Sequence, residues 1–424
     1  MQIPLLDLKR QYTAIQAEVE TTVCSILASG NYIMGSNVKA FEEEFATYCG
    51  IKHAISVANG TDGLVIALKA LNVGTGDEVI TTPYTFFATA ESISAVGATP
   101  VFVDVRPDTY NIDENLIEAA ITERTKAIMP VHIFGQPAEM NKINEIAKKH
   151  DLAVIEDACQ AVGAKYNEKR TGGLTDLGVF SFFPTKNLGC AGDGGMITTN
   201  DDNLATICRA LRVHGSGEGG RMAYNLLNNT NEQLEETLGD TTIYDPRKYY
   251  NYLIGHNSRL DEIQAAILRI KLKKLDEYNN SRQQAATYYN QALAETAYVT
   301  PAASPGTEPI YHQYILQSEN RAETVSRLAA QGIGTGIYYP VPLHLQKAYK
   351  NLNYKMGDLP VSEYLSHRTF AIPCFPELTV GEKEYIIAAL RDKGTVRASR
   401  SVAEAEGKTM EPSPCLALAS KEKS

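Results

Sequence analysis

From His53 to Gly215 the chain alternates between short apolar runs and amphipathic stretches. "AISVANG" reads as a strand running into a turn, and "TDGLVIALKAL" as a helix that begins at Gly60-Thr61 with Leu64, Leu68 and Leu71 on one face. The alternation continues with "DEVITT" (strand), "ATAESISAVGA" (helix), "TPVFVDV" (strand), "LIEAAI" (helix), "KAIMPVHIF" (strand), "EMNKINEIAKKH" (helix) and "LAVIEDA" (strand). Two further strand-like runs, "GVFSFF" and "GGMITT", precede the helical "DDNLATICRALRVHG". Strands that alternate with helices need crossover connections. The pattern therefore predicts an α/β fold whose mostly parallel sheet is covered by helices on both faces.

The period changes from about Ser258, where "RLDEIQAAILRIKLKKLDEY" predicts one long helix followed by a shorter α/β mixture that ends near Leu390. Residues 1–257 are read as a large domain, and 258–390 as a smaller C-terminal domain that includes the linking helix. A length of 424 residues with 44% hydrophobic content suits two cores. Residues 391–424 are small and polar without sustained apolar periodicity, which predicts a disordered tail.

Charge and cysteine content narrow the function classes. The 50 acidic and 40 basic residues give a net charge of -10, and no Lys/Arg block follows the chain in the way a phosphate backbone requires. Nucleic acid is not an expected partner. No apolar run approaches a membrane span, and "MQIPLLDLKRQY" lacks the regions of a signal peptide, so a cytoplasmic protein is expected. The seven cysteines are scattered without a C-x-x-C pair, and the eight histidines show no metal-ligand spacing. Reduced thiols and no metal follow. His132, in an apolar strand, and His53, before one, read as structural.

Ligands of open parallel sheets bind beyond the carboxyl ends of the strands. Four such places carry polar or aromatic residues: Gly60-Thr61, Tyr84-Thr85-Phe86, Asp157 to Gln160, and Ser181 to Lys186. Gly60 and Thr61 at a helix start offer free N–H groups to a phosphate, although Thr and Asp there also read as an ordinary cap. Ser181 adds a hydroxyl to the same anion. Asp157 closes an apolar strand, where a carboxylate needs a partner: either a protonated heteroaromatic nitrogen or a buried salt bridge. Phe86 suits a flat ring or the core. A lone lysine beside glycines reads as a surface residue. Lys186 in "SFFPTKNLGCAGDGG" acquires a purpose if these groups hold pyridoxal phosphate, because a desolvated amine forms an imine with an aldehyde and then moves protons.

Together these segments resemble the DegT/DnrJ/EryC1/StrS sugar aminotransferases, pyridoxal-phosphate enzymes of aspartate-aminotransferase-like fold. The motifs run in the family's order over about residues 1 to 390, and include "NGTDGLVIALKAL", "GDEVITTPYTFFATAESISAVGATPVFVDV", "VIEDACQAVGA", "SFFPTKNLGCAGDGGMITTND", "GHNSRLDEIQAAIL" and "YYPVPLHLQKAY". The resemblance implies that Lys186 forms the internal aldimine and that Asp157 pairs with the pyridine nitrogen. It also implies that Gln160 approaches the ring hydroxyl, Phe86 stacks on the ring, and Gly60, Thr61 and Ser181 hold the phosphate. Asn257 resembles the residue that reaches this phosphate from a partner subunit, so an active homodimer is implied. Arg259 and His344 are candidates for sugar, diphosphate or donor carboxylate, or equally for packing.

By the same resemblance the reaction carries an amino group from L-glutamate to a nucleotide-linked ketosugar. Gln160 stands where a His accompanies amination at C4, which favours C3; C4 amination remains the alternative within the family. Dehydratase members carry His in place of the aldimine lysine, and Lys186 argues against that branch. A catalytically silent cofactor- or sugar-nucleotide-binding regulator is a reading of another class, disfavoured because binding alone needs no imine-forming amine. The chain departs from the family at about 216–254, where the connection is longer than usual. "GSGEGG" matches G-x-G-x-x-G, but follows a helical segment and opens no clear helix, so a dinucleotide fold is discounted.

Overall fold

A computed structural model describes residues 1–233 and 249–392. The expected tail from residue 393 onward and residues 234–248 of the expected insertion lie outside the described residues.

Seven strands form the main sheet: β1 (His53–Val57), β2 (Glu78–Thr81), β3 (Thr99–Phe102), β4 (Thr125–Ile128), β5 (Ala153–Asp157), β6 (Leu177–Ser181) and β7 (Gly195–Thr199). Their order is β1-β7-β6-β5-β4-β2-β3. The pairings from β3 across to β6 are parallel, whereas β7 runs antiparallel to both β6 and β1. Six strands therefore point the same way, and their carboxyl ends share one edge.

Successive residues of a strand face opposite sides, so a continuous apolar run must be covered twice. Ile155, Val179 and Ile197 pack in a core with the helices Gly60–Ala70 and Asp202–Leu211. Their neighbours Val154, Phe180 and Met196 face the other side: Val154 meets the helix Met140–His150, while Phe180 and Met196 meet the helices Ser36–Cys49 and Glu262–Leu272. This is the doubly covered α/β sheet that the apolar runs imply.

Three elements differ from expectation. "LIEAAI" yields only a 3-10 turn over Glu118–Ala120. "KAIMPVHIF" forms a strand only to Ile128, because Pro130 has no N–H to continue the ladder; pairing resumes at the single bridge Val131 to Asp157. The long helix is two, Glu262–Leu272 and Leu275–Leu293. Arg269 and Lys271 close the first while Asp276 and Glu277 open the second, so each helix end carries the charge that its dipole favours. One motif reading is corrected as well: "GSGEGG" does open a helix, Gly217–Asn228, with Glu218 in its first turn. It still follows the helix Asp202–Leu211 rather than a strand, so the geometry of a dinucleotide site is lacking.

The C-terminal unit has its own core around the antiparallel strands Tyr314–Gln317 and Thr369–Ile372, with Leu328, Ile386 and Leu390 from flanking helices. Helix Glu262–Leu272 packs with the large unit, and the change of core falls within Leu275–Leu293: Leu275 belongs to one cluster, Ala285 and Tyr289 to the other. The chain's start returns to the C-terminal unit, where the Ile3 N–H donates to the Gly332 carbonyl at 2.8 Å and the Ile3 carbonyl accepts the Gly334 N–H at 2.8 Å.

Candidate active site

A cavity of about 720 Å³ opens at the carboxyl edge of the sheet. All four places expected from sequence border it, together with His312, Gln313, Tyr338 and Tyr339 from the C-terminal unit.

After β1, Asn59 caps the helix Gly60–Ala70: its side-chain oxygen accepts the Asp62 N–H at 2.8 Å and its carbonyl accepts the Gly63 N–H at 3.1 Å. The Gly60 and Thr61 amides stay free, as the first amides of a helix do, and face the cavity at the positive end of the dipole. A Cβ on Gly60 would lie 2.9 Å from both Cys159 Sγ and Ser181 Cβ. Glycine thus lets the helix start press against the end of β6, bringing the Ser181 hydroxyl to the same anion cradle. Ser181 Oγ accepts the Phe183 N–H at 3.3 Å, which leaves its own O–H to donate.

Asp157, the last residue of β5, is 4% exposed. Its carboxylate accepts from the Thr89 hydroxyl at 2.8 Å and from the Cys159 N–H at 3.2 Å, both neutral donors. No cation pairs with it among the described residues, so the salt-bridge alternative fails. The adjoining Glu156 points to the other face and is fully engaged, accepting from the Gly172 and Leu174 amides at 2.7 and 2.8 Å and from His132 at 3.0 Å. His132 itself accepts the Ala138 N–H at Nδ1 (3.1 Å), so Nε2 carries the proton that Glu156 receives. That histidine is structural.

Lys186 lies in the loop after β6, where its N–H donates to the Phe183 carbonyl at 2.8 Å. Its Nζ has no hydrogen-bond or ion-pair partner among the described residues. Burial pulls its pKa below the usual lysine value, against the opposing pull of Cys159 and Asp157. Burial also pushes the Cys159 thiol well up, so it stays protonated. Gln160 is fixed on both sides: Oε1 accepts the Phe134 N–H at 2.8 Å and Nε2 donates to the Tyr339 hydroxyl at 3.0 Å, leaving one N–H for the cavity. Phe86 is 60% exposed on the cavity wall, which a core aromatic would not be.

The residues present fit pyridoxal phosphate. The free helix amides and Ser181 suit its phosphate, the unpaired Asp157 its ring nitrogen, Gln160 its ring hydroxyl, Phe86 its ring face, and the unpartnered Lys186 amine its aldehyde.

Three expected residues stand apart from this cavity within the chain. Asn257 is exposed and bridges Val213, and neither it nor Arg259 borders the cavity. His344 is 2% exposed, with Nε2 3.1 Å from Glu363 Oε1, which is the packing role allowed for it. Sequence reasoning passed over Thr89, His312, Tyr338 and Tyr339. Thr89 had a signal in its i, i+4 spacing from Thr85, whose hydroxyl it meets at 3.1 Å. Among the described residues no group of His, Cys, Asp and Glu has the geometry to hold a metal, and no helix is long and apolar enough to cross a membrane.

The model of the DegT/DnrJ/EryC1/StrS aminotransferase family matches residues 13–391. The chain is 45% identical over 395 residues to a "Pleiotropic regulatory protein" of Geobacillus stearothermophilus, covering 92% of this chain and 98% of that one. It is 41% identical over 389 residues to the UDP-N-acetyl-3-dehydro-alpha-D-glucosamine 3-aminotransferase of Acidithiobacillus ferrooxidans, covering 92% and 97%. Among solved structures, DesV of S. venezuelae in complex with a ketimine intermediate matches with a TM-score of 0.83 at 39% identity, covering 92% of this chain and 98% of that one.

Proposed function

The chain belongs to the DegT/DnrJ/EryC1/StrS aminotransferase family, and from that premise we propose that it moves the amino group of L-glutamate to C3 of a nucleotide-linked ketosugar. The observation that carries this reading is the Lys186 amine, desolvated and without a partner, on the same cavity as Asp157 and the free amides of Gly60 and Thr61.

When bound, pyridoxal phosphate supplies the aldehyde and the electron-accepting ring. Lys186 would supply the amine that meets the aldehyde and, once displaced, would move a proton from the donor carbon to the cofactor carbon on the other side of the nitrogen, and in the opposite direction for the sugar. Burial lowers its proton affinity, which favours the base form over the ammonium relative to an exposed lysine. Asp157 holds a proton at the ring nitrogen, Gly60, Thr61 and Ser181 bind the phosphate, and Phe86 shields the ring from water. Amination at C3 is supported by Gln160 in place of a histidine and by the named activity of the Acidithiobacillus relative.

The working unit is a cytoplasmic homodimer with shared sites. Lys186 is the only lysine or arginine on the described cavity wall, whereas a sugar diphosphate and a glutamate carboxylate bring several negative charges. That Asn257 and Arg259 lie outside the cavity of their own chain supports a role for them in a neighbour's. Tyr32, Ile33 and Met34 are exposed apolar residues of the kind that a partner covers. The six described cysteines are free thiols, in keeping with a reducing compartment. Residues 1–257 carry the cofactor contacts, and 258–390 close the cavity with His312, Tyr338 and Tyr339.

A regulator is the second reading, favoured by the name of the Geobacillus relative. Visible absorbance of the protein with pyridoxal phosphate separates the two. L-glutamate is expected to bleach the band and release 2-oxoglutarate, and a 3-keto nucleotide sugar to restore it; a 4-keto sugar restoring it instead moves the reaction to C4. Tight cofactor binding without turnover on a broad ketosugar panel supports the regulator.

A further inference from the structure

We propose that Thr89, backed by Thr85, is a positioning residue for Asp157: the two hydroxyls form a directed relay that holds the carboxylate in one plane at the cofactor cavity. The proposal rests on Asp157 as the partner of the ring nitrogen.

All three side chains border the cavity, and Thr85, Thr89 and Asp157 are 2, 1 and 4% exposed. Thr89 Oγ1 lies 2.8 Å from Asp157 Oδ2 and 3.1 Å from Thr85 Oγ1, and neither hydroxyl has another partner among the described residues. The direction of the relay follows from its hydrogens. A carboxylate only accepts, so the single hydroxyl hydrogen of Thr89 goes to Asp157, and the hydrogen between the threonines belongs to Thr85. Both hydroxyls thus point towards the charge.

Other helical threonines of this chain use that hydrogen differently. Thr21, Thr47 and Thr206 donate to the carbonyls of Ala17, Glu43 and Asp202, each four residues back, at 2.8–2.9 Å. Thr89 stands in the first turn of the helix Ala88–Ala95, and Thr85, four residues back, lies before that helix. Its hydroxyl is therefore free to reach the end of β5, and its branched Cβ, stiff at χ1, keeps it there.

The carboxylate needs such a hold. The last torsion of an aspartate is broad, so a single hydrogen bond leaves the plane free to swing. Asp157 is held at both oxygens, by Thr89 at Oδ2 and by the Cys159 N–H at Oδ1, 3.2 Å away. Two donors from different segments fix the plane and leave lone pairs for the ring nitrogen. Thr85 strengthens the hold from one link behind, since a hydroxyl that accepts a hydrogen bond donates a stronger one. Phe86 lies between the two threonines, so one turn sets both the face and the edge of the ring site.

Neutron diffraction from deuterium-exchanged crystals of the apoprotein reads the relay directly. Deuterons are expected on Thr89 Oγ1 towards Asp157 and on Thr85 Oγ1 towards Thr89; a deuteron on Asp157, or that of Thr89 aimed at Thr85, overturns the proposal. In the holoenzyme, the isosteric Thr89→Val is expected to slow the single-turnover reaction with L-glutamate about 10-fold, the effect of one hydrogen bond to a charged group, and Thr85→Val about 2-fold. Thr89→Ser is expected to keep most of the rate, and Thr89→Val to cost nothing further in an Asp157→Ala background. Equal losses in Thr89→Val and Thr89→Ser, or an undiminished loss without Asp157, contradict the proposal, and if Thr89→Val does not fold, the deuterons decide. A parent protein that binds no pyridoxal phosphate in equilibrium dialysis would instead remove the reading on which the proposal rests.

Discussion

Two lysines serve the same loop in opposite ways. Lys271, on the helix Glu262–Leu272, is 9% exposed and donates to the Gly189 carbonyl at 2.7 Å. Lys186 sits earlier in that loop with a free amine on the cavity. Burial lowers the proton affinity of both, opposed at Lys271 by Cys190 and Glu377 and at Lys186 by Cys159 and Asp157. A depressed lysine pKa therefore does not single out the reacting group. What separates them is the hydrogen-bond account: the nitrogen of Lys271 has an acceptor that fixes the loop, whereas that of Lys186 has none and faces open space beside a carboxylate. Solvent-poor surroundings tie one amine to the scaffold and leave the other free on the cavity.

The contrast can be broken by exchanging the losses. Lys186→Ala is expected to lower turnover by about 10⁴-fold or more while the apoprotein melts no lower than the parent, since no protein hydrogen bond is lost. Asp157→Asn, the next largest effect, should slow turnover by about 10²–10³-fold, the scale of removing one electrostatic stabiliser, with cofactor still bound. Lys271→Met should do the reverse of Lys186→Ala: a loss of about 1–3 kcal/mol in denaturant stability, because the Gly189 carbonyl loses its donor, with a far smaller effect on turnover. Turnover loss in Lys271→Met matching that of Lys186→Ala would erase the distinction.

Gly60→Ala sharpens the comparison from the cradle side. The new methyl meets Cys159 and Ser181 at 2.9 Å, so a cost of about 1–3 kcal/mol in stability is expected, with weaker cofactor binding by equilibrium dialysis. The smallest effect is at the far end of the chain. Arg10 donates to Glu382 at 2.6 and 2.9 Å and holds its carboxyl down at about 2. A depressed carboxylate stabilises the fold above its ordinary range and loses that contribution as pH falls towards about 2. Arg10→Ala should therefore cost at most about 1 kcal/mol at pH 7, the pair being partly solvated, and the gap in urea stability should close by about pH 2.

The sheet was legible because β5 and β6 are apolar on both faces, so alternation with helices already implied a doubly covered parallel sheet. Gly60, Thr61, Phe86, Asp157, Gln160, Ser181 and Lys186 were legible as cavity residues because each lies at or just after a strand end, where chain direction alone places it on the sheet's carboxyl edge. His312, Tyr338 and Tyr339 were not, since they reach the cavity from a second unit whose docking no local pattern encodes. Glu156 and Asp157 show the same limit at close range: as neighbouring carboxylates on one strand they look alike in sequence, and only the two faces they meet make one structural and the other available. The Pro130 break and the split at Lys273-Lys274 were visible in the residues but outweighed by the hydrophobic period.

The most direct test of the account is to reduce the holoenzyme with borohydride, digest it and map the lysine that keeps the cofactor by mass spectrometry. The label is expected on the peptide carrying Lys186 and not on that carrying Lys271; a label on any other lysine, or none at all, would contradict Lys186 as the reacting amine.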